Sequence, residues 1–296
     1  MSDAPFRFVV PPTGERLDRL VADATGRGRR TVKRWLLAGN VRVDGHFASA
    51  SDTPAAGSEV IVDESQPEQS APPPLALDVI LENQHHLVVA KPAGLHCERG
   101  KSAGSLADLL EARYGDLSWI GDRAEEAGLV HRIDRDTSGV VVVARDRQTY
   151  QRLREAFRSG ATRKQYLALA TGRLERAVEV DLPLSRRATR MAPATRDTDG
   201  MPAWTALEPL EAGTGWTLVL ATMSTGVMHQ VRVHLAAIGH PLFGDSLYGG
   251  PTLAGCSRRG QLLHAMRVQA GNELDVTVGA PSDFLAAYAR LRREEN

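Results

Sequence analysis

Four consecutive valines, Val140–Val143, constrain the fold of this chain more than any other feature of its sequence. They follow directly on HRIDRDTSG, residues 131–139, a segment with two arginines, two aspartates and one histidine. A short β-branched run beside a turn signal predicts a buried strand. Because Asp-Thr-Ser-Gly is typical of a rigid turn, the charges are expected to line a cleft floor with Asp134 at its base. By its position alone, Asp134 is better explained as a cap of backbone amides.

After residue 77, strand patterns outnumber helical patterns and follow one another directly along the chain. A doubly wound fold alternates strands with helices, so the order of patterns excludes that fold. The sequence therefore predicts an α+β fold with a mixed, largely antiparallel sheet and packed helices. The length of 296 residues, with 42% hydrophobic residues, allows two domains and a sizeable core.

The polar, proline-rich segment DESQPEQSAPPPLAL, residues 63–77, carries no hydrophobic period and is interpreted as a linker. It divides the chain into a small domain over residues 1–62 and a larger catalytic domain over residues 78–296. In the small domain, helical spacing predicts a helix that ends at Gly26 and buries Leu17, Leu20, Val21 and Ala24. A second helix is predicted in RRTVKRWLLAGN, and Asp44-Gly45 predicts a hairpin.

Basic residues are concentrated in the second predicted helix, although Lys plus Arg and Asp plus Glu number 36 each. The segment RGRRTVKR holds five basic residues and no acidic one; Arg29, Arg30, Lys33 and Arg34 are expected to face outward. A solvated helix face explains such a patch equally well. The order of two helices and a hairpin, with GNVRVDG after the basic helix, resembles the ribosomal-protein-S-four-like RNA-binding module. The resemblance implies contacts with RNA phosphates; a helical cap on the larger domain is the alternative.

Signals for metals, cofactors and membranes are missing from the sequence. His229 and His234 are five residues apart with no Glu between them, and Cys97 and Cys256 form no Cys-x-x-Cys pair. No run of eighteen apolar residues occurs, and the first residues lack the order of a signal peptide. We therefore expect no metal, no cofactor and no membrane association, and a cytoplasmic protein.

Three segments, HRIDRDTSG, RKQYLALATG and HQVRVHLAAIGHPLFGDSLYG, resemble in this order the motifs of the RluA-type pseudouridine synthases. VVAKPAGLHC is similar to the first motif of that family, and LLHAMRV with APSDF to its C-terminal end. The resemblance implies Asp134 as the catalytic aspartate, with Tyr166 and Arg232 in the active site. It also implies that Arg132 helps to displace the target base and that His131, in the same segment, contacts the substrate.

One segment departs from the family pattern. Thr225-Gly226-Val227-Met228 stands where the family commonly has Thr-Gly-Arg followed by Thr or Ser, so an expected basic contact with RNA is missing.

The implied reaction detaches uracil from carbon 1′ of the ribose and rejoins it through carbon 5, which gains and loses no atoms and demands no cofactor. The expected partner is structured RNA, with ribosomal RNA favoured over transfer RNA, and the target uridine must leave its stack. A catalytically silent RNA-binding or ribosome-assembly factor on the same fold is the alternative. A glycoside or nucleoside hydrolase using Asp134 and Asp136 is disfavoured, since positions so close in one turn are poorly placed to flank a bond.

Overall fold

A computed structural model of the chain describes residues 5–48, 50, 52–63, 77–99, 104–188, 190–194, 199–256, 258 and 260–293. Its helices are α1 (Leu17–Thr25), α2 (Arg29–Ala38), α3 (Leu106–Tyr114), α4 (Arg147–Arg158), α5 (Gln230–Ala237) and α6 (Ser282–Arg293).

The strands of the first half are β1 (Phe6–Val9), β2 (Val41–Val43), β3 (His46–Phe47), β4 (Glu59–Val62), β5 (Asp78–Glu82), β6 (His86–Lys91) and β7 (Ser138–Ala144). Those of the second half are β8 (Thr162–Thr171), β9 (Val178–Asp181), β10 (Leu184–Arg187), β11 (Arg190–Pro193), β12 (Trp204–Ala212), β13 (Trp216–Met223), β14 (Leu263–Ala270) and β15 (Leu274–Thr277).

The chain forms two compact units, each with its own sheet. The first contains the described residues of 1–77, 96–117 and 123–127, and the second those of 78–95, 118–122 and 128–296. The expected linker at residues 63–77 lies almost wholly outside the described residues, so the domain boundary stays a prediction. Among the described residues, no helix is long and apolar enough to cross a membrane.

In the first unit, α1 and α2 accompany a four-stranded sheet in the order β1-β4-β2-β3. The prediction that α1 ends at Gly26 is confirmed, because Gly26 has the left-handed φ of 67° that terminates a helix. The Asp44-Gly45 hairpin is confirmed too, with φ of 49° and 79°. Ala24 was expected in the core but is exposed, and Ala22 packs against the core instead.

The second unit contains a nine-stranded sheet in the order β5-β6-β7-β14-β8-β13-β12-β9, with β15 paired to β14. Among the strands of this sheet that the structure describes, the pairing of β7 with β14 alone is parallel and the others are antiparallel. The predicted α+β class and mixed, largely antiparallel sheet are confirmed. A separate hairpin of β10 and β11, which the sequence patterns did not indicate, also belongs to this unit.

Strand β7 contains the four valines, and all four are fully buried. Its second residue, Gly139, has a φ of 122° and lies so close to β14 that a Cβ atom would be 2.1 Å from the carbonyl oxygen of Ala265. Only glycine allows this approach. The close β7–β14 pairing therefore fixes where the charged loop before β7 leaves the sheet.

Candidate active site

The loop of residues 131–137 is fastened to the end of β6 through a buried lysine. Lys91 is 1% exposed, and its Nζ donates hydrogen bonds to the carbonyl oxygens of Pro92 (2.8 Å), Leu95 (2.8 Å) and Arg135 (2.9 Å). The amide of Gly94 also donates to the Arg135 oxygen, at 2.9 Å. Buried, charge-assisted bonds of this kind hold the main chain on both sides of the turn in one conformation.

A second set of contacts supports the same loop from the segment before β14. Arg258 Nη2 donates to the carbonyl oxygen of Asp136 at 2.9 Å, and Gln261 Nε2 donates to Thr137 Oγ1 at 3.0 Å. These four residues all belong to the second unit. The loop that bears Asp134 is thus held rigidly, as a catalytic constellation requires.

Asp134 is bound to Arg232, and Arg232 is bound in turn to Asp245. Arg232 Nη1 donates to Asp134 Oδ2 at 2.8 Å, while Nε and Nη2 donate to the two oxygens of Asp245 at 2.7 and 2.8 Å. Burial by itself lowers the pKa of Arg232, but hydrogen bonds and negative charge from Asp245 and Asp134 raise it above its ordinary value. Arg232 therefore stays a cation that binds one carboxylate on each side.

The two aspartates differ in their access to solvent. The Asp245 side chain is 1% exposed, whereas that of Asp134 is 24% exposed. Asp245 can only orient Arg232, and Asp134 Oδ1 is the oxygen that can reach a substrate. Asp245 lies within the third motif but had no predicted role, because a carboxylate thirteen residues beyond Arg232 carries no local signal of contact with it.

His229 and Tyr248 complete the wall of the site beside Asp134. His229 Nε2 lies 3.7 Å from Asp134 Oδ1, and its Nδ1 lies 2.8 Å from the Tyr248 hydroxyl. That hydroxyl accepts a hydrogen bond from the Met191 amide at 3.0 Å. Burial lowers the pKa of His229, although the charge of Asp134 opposes the shift. A neutral His229 that accepts the Tyr248 proton presents its Nε2–H to Asp134.

The departure at Val227-Met228 has a structural explanation. Both side chains pack against a buried apolar cluster of Leu184, Met191, Ala203 and Val233. The turn itself is held by Gln230, whose Oε1 accepts from Thr225 Oγ1 (2.9 Å) and from the Val227 amide (3.1 Å). The loop thus contributes apolar packing where a basic contact was expected.

Tyr166 lies on β8, two strands away from the start of β7. It is 8% exposed and is paired with Ala265 of β14, which is paired in turn with Gly139. At a strand spacing of about 4.8 Å, Tyr166 and Gly139 are about 10 Å apart across the sheet. The register therefore brings Tyr166 to the part of the sheet from which the Asp134 loop departs.

His131 and Arg132 occupy different environments at the start of the loop. His131 is half-buried, its ring stacks on Phe157 at 4.5 Å, and its Nε2 accepts a hydrogen bond from the Val142 amide at 3.1 Å. Burial and the positive charges of Lys164 and Arg154 lower the pKa of His131 to about 3, so its imidazole is neutral. Arg132 is exposed to solvent.

The four basic residues predicted in the small domain lie in α2 of the first unit, and Arg29 is exposed. The side chains of Arg30, Lys33 and Arg34 are outside the described part of the chain. Across the described residues, no group of three or more His, Cys, Asp or Glu side chains could hold a metal ion. His234 is instead buried in hydrogen bonds to Thr205 Oγ1 (2.9 Å) and the Leu182 oxygen (3.0 Å).

Residues 85–237, just over half of the chain, match the family described as RNA pseudouridylate synthase. The chain belongs to this family. The matched region includes Asp134, Tyr166 and Arg232, and the membership confirms the resemblance drawn from the three motifs. The protein is accordingly an RNA pseudouridine synthase, an isomerase that acts on uridine in RNA.

Relatives of this synthase cover nearly its whole length. A ribosomal large subunit pseudouridine synthase D from Xanthomonas campestris pv. campestris is 33% identical over 99% of this chain and 94% of its own. The protein of the same name from Vibrio parahaemolyticus is 31% identical over 95% of this chain and 92% of its own. An uncharacterized RNA pseudouridine synthase from Chloroflexus aurantiacus is 34% identical over 96% of this chain and 93% of its own.

Solved structures agree with the fold of the synthase. Human RNA Pseudouridylate Synthase Domain Containing 1 has a TM-score of 0.56 at 26% identity, over 72% of this chain and 86% of its own. Human RNA Pseudouridylate Synthase Domain Containing 4 has a TM-score of 0.60 at 24% identity, over 73% of this chain and 93% of its own. The second likeness shows the fold alone.

Proposed function

We propose that this protein converts specific uridines of large-subunit ribosomal RNA into pseudouridine, with the carboxylate of Asp134 acting on a uridine flipped out of its stack. The observation that carries the proposal is the buried Asp245–Arg232–Asp134 chain, which ends in a partly exposed carboxylate oxygen. The names of the bacterial relatives support ribosomal RNA as the substrate.

The chemistry fits an ionised carboxylate held in fixed orientation. The bond between carbon 1′ and N1 of uracil breaks, the base turns, and a bond from carbon 1′ to carbon 5 replaces it. The proton of carbon 5 is lost and N1 gains a proton. Asp134 Oδ1 stabilises positive character at the sugar or attacks it. Arg232 keeps Oδ2 engaged, so that the carboxylate presents one oxygen only.

Tyr166 and Arg132 are proposed to handle the flipped base. Tyr166 offers its ring for stacking on uracil, and its hydroxyl assists removal of the carbon 5 proton. Arg132, which is exposed to solvent, enters the space that the uridine leaves and so offsets part of the cost of flipping. His131 is proposed to contribute to substrate binding indirectly. Its stacking on Phe157 fixes the position of the loop that contacts the substrate.

The first unit is proposed to contribute RNA affinity through the basic face of α2, as in the ribosomal-protein-S-four-like module. The proposed domain limits are residues 1–62 for this module, 63–77 for a linker and 78–296 for the catalytic domain. Backbone contacts of this kind add affinity without reading sequence. A cytoplasmic location, where ribosomal RNA is found, is part of the same proposal.

Two other functions have less support. Asp136 is bound by Arg135 at 2.9 and 3.1 Å within the turn that carries Asp134, which is a poor position for the second carboxylate of a hydrolase. A catalytically silent binding factor was suggested by Val227-Met228, but those residues pack inward. They leave the contacts of Asp134 with Arg232 and His229 in place.

The test is a transcriptome-wide map of pseudouridine in cells with and without the gene, with rescue by the parent or by Asp134→Asn. We expect one or a few sites in large-subunit ribosomal RNA to be lost without the gene and restored by the parent only. Sites lost from transfer RNA alone would contradict the choice of substrate. No lost site would favour the silent binding factor.

A further inference from the structure

Lys164 carries a buried positive charge that the fold does not neutralise. The residue lies on β8 and is 4% exposed. Among the residues that the structure describes, no carboxylate forms a salt bridge with Lys164 and no oxygen accepts a hydrogen bond from its Nζ. Its contact is with an aromatic ring, since Nζ lies 5.6 Å from the ring centre of Phe157. Leaving an ammonium group so poorly compensated is costly to the folded state.

The surroundings of Lys164 are positive rather than negative. Arg154, on α4, also lies near His131, since its Nη1 donates at 2.8 Å to the carbonyl oxygen of Val130, the residue before His131. The charges of Lys164 and Arg154 both lower the pKa of His131. Two cations beside one neutral imidazole form an attractive environment for an anion.

The ammonium group also lies next to the active-site loops. A methyl group added at Gly226 would be 3.3 Å from Lys164 Nζ, so the absence of a side chain at Gly226 leaves room above the ammonium. Gly226 belongs to the turn that leads into His229, and His131 opens the Asp134 loop. Lys164 is therefore positioned where the two loops around Asp134 meet.

Lys164 and Tyr166 share one face of β8, because side chains two residues apart point the same way. Their Cα atoms are about 7 Å apart at a rise of about 3.4 Å per residue. This span is comparable with that between the base and a flanking phosphate of one nucleotide. A uridine whose base stacks on Tyr166 would bring one of its phosphates near Lys164.

We infer that Lys164, assisted by Arg154, binds a phosphodiester group that flanks the target uridine and so fixes the sugar against Asp134. The inference rests on the proposed function for the identity of the anion, which is then RNA backbone. Burial lowers the pKa of Lys164 to about 8, so the group remains mostly charged at neutral pH. A desolvated ammonium offers a stronger bond to phosphate than an exposed one does.

The experiment uses a short RNA that contains the mapped target uridine, prepared with a neutral methylphosphonate on its 5′ side, on its 3′ side, or with neither. Dissociation constants and kcat/KM are measured for the full-length parent, Lys164→Met and Arg163→Met. Arg163 is the matched control, because it neighbours Lys164 on β8 and is exposed.

One of the two methylphosphonates is expected to weaken binding to the parent about ten-fold or more, as for loss of a charge-assisted hydrogen bond. Lys164→Met should bind the unmodified RNA less tightly by a similar factor and lose nothing further with that methylphosphonate. Arg163→Met should keep the full sensitivity of the parent. The inference is overturned if Lys164→Met remains as sensitive as the parent at both positions.

A second variant and the activity of the parent separate the possible causes of a negative result. If Lys164→Met fails to fold, Lys164→Gln repeats the comparison with a neutral polar end, and the same loss of sensitivity is expected. A parent protein that converts no uridine in any RNA would refute the proposed function, whereas an active parent that ignores both methylphosphonates would refute only the phosphate contact.

Discussion

Replacement of Asp245 by asparagine removes the buried negative charge that orients Arg232. The two side chains are 1% and 8% exposed and are joined by two hydrogen bonds of 2.7 and 2.8 Å. An asparagine keeps one acceptor but turns its NH₂ group towards a guanidinium that has only donors. Breaking one side of a buried ion pair costs about 3–5 kcal/mol. Because Asp134 still neutralises part of the Arg232 charge, the lower end, about 3 kcal/mol, is expected for Asp245→Asn.

Asp275→Asn is the matched control for that substitution. Asp275 and Arg267 form the same bidentate pair, at 2.7 and 2.6 Å, but on the surface with 45% and 37% of the side chains exposed. Solvent screens such a pair, so its loss should leave Tm within the error of the measurement. The two substitutions thus compare the loss of a bidentate Arg–Asp pair in the protein interior with the loss of the same kind of pair on the surface.

Thermal unfolding and uridine conversion are measured for both variants. At about 2–4 °C per kcal/mol, Asp245→Asn should lower Tm by about 6–12 °C. It should also lower kcat/KM by about a hundred-fold, since Arg232 no longer holds Asp134 in position. Equal changes in Tm for Asp245→Asn and Asp275→Asn would refute the assignment of Asp245 as the buried support of Arg232.

Three further substitutions, one of them with a matched control, test other residues around the site. Lys164→Met should stabilise the protein at pH 7 by up to about 3 kcal/mol, because lowering a lysine pKa from 10.5 to about 8 has that cost. The difference in stability between Lys164→Met and the parent should shrink between pH 8 and pH 10.5, because there the unfolded parent binds a proton that the folded parent lacks. A stability difference that does not change with pH in denaturant titrations would count against this prediction. Lys91→Met removes the Nζ donor from three carbonyl oxygens, of which that of Arg135 keeps the Gly94 amide, and should cost about 2–4 kcal/mol with a large loss of conversion. Parental stability of Lys91→Met would contradict the support that Lys91 is assigned here. Gly139→Ala should prevent folding, since its Cβ would clash with Ala265, whereas Gly271→Ala, with φ of 52° and open space, should cost about 1–2 kcal/mol; similar denaturation curves would argue against the close strand approach.

Local patterns were sufficient to predict most of the helices and strands. The four valines predicted β7, and Gly26 predicted the end of α1, because burial and left-handed glycine termini depend on neighbouring residues. Strands β1, β14 and β15, the hairpin of β10 and β11, and helix α6 were not predicted. Short strands of four residues have weak periodicity, and β1 becomes a strand only by pairing with β4, some fifty residues away.

The site was predicted in part, and only through the motifs. Asp134 and Arg232 are 98 positions apart, and no periodicity indicates that their side chains form a 2.8 Å hydrogen bond. Asp245, His229 and Tyr248 were not assigned roles because each acquires its function from contacts across the fold. The sequence showed that the basic contact usual in the family is missing at Val227-Met228, but not what these residues do instead. Their apolar packing depends on the β10–β11 hairpin, which was not predicted.

The most direct test of the catalytic role of Asp134 is the release of tritium from carbon 5 of uridine in the target RNA. Asp134→Asn is compared with Asp136→Asn, a change of the same chemistry two residues away in the same loop. We predict that Asp134→Asn reduces the single-turnover rate by about 10³-fold or more while Kd for the RNA changes little, and that Asp136→Asn keeps its rate within about ten-fold of the parent. A parental rate of tritium release by folded Asp134→Asn would contradict the account.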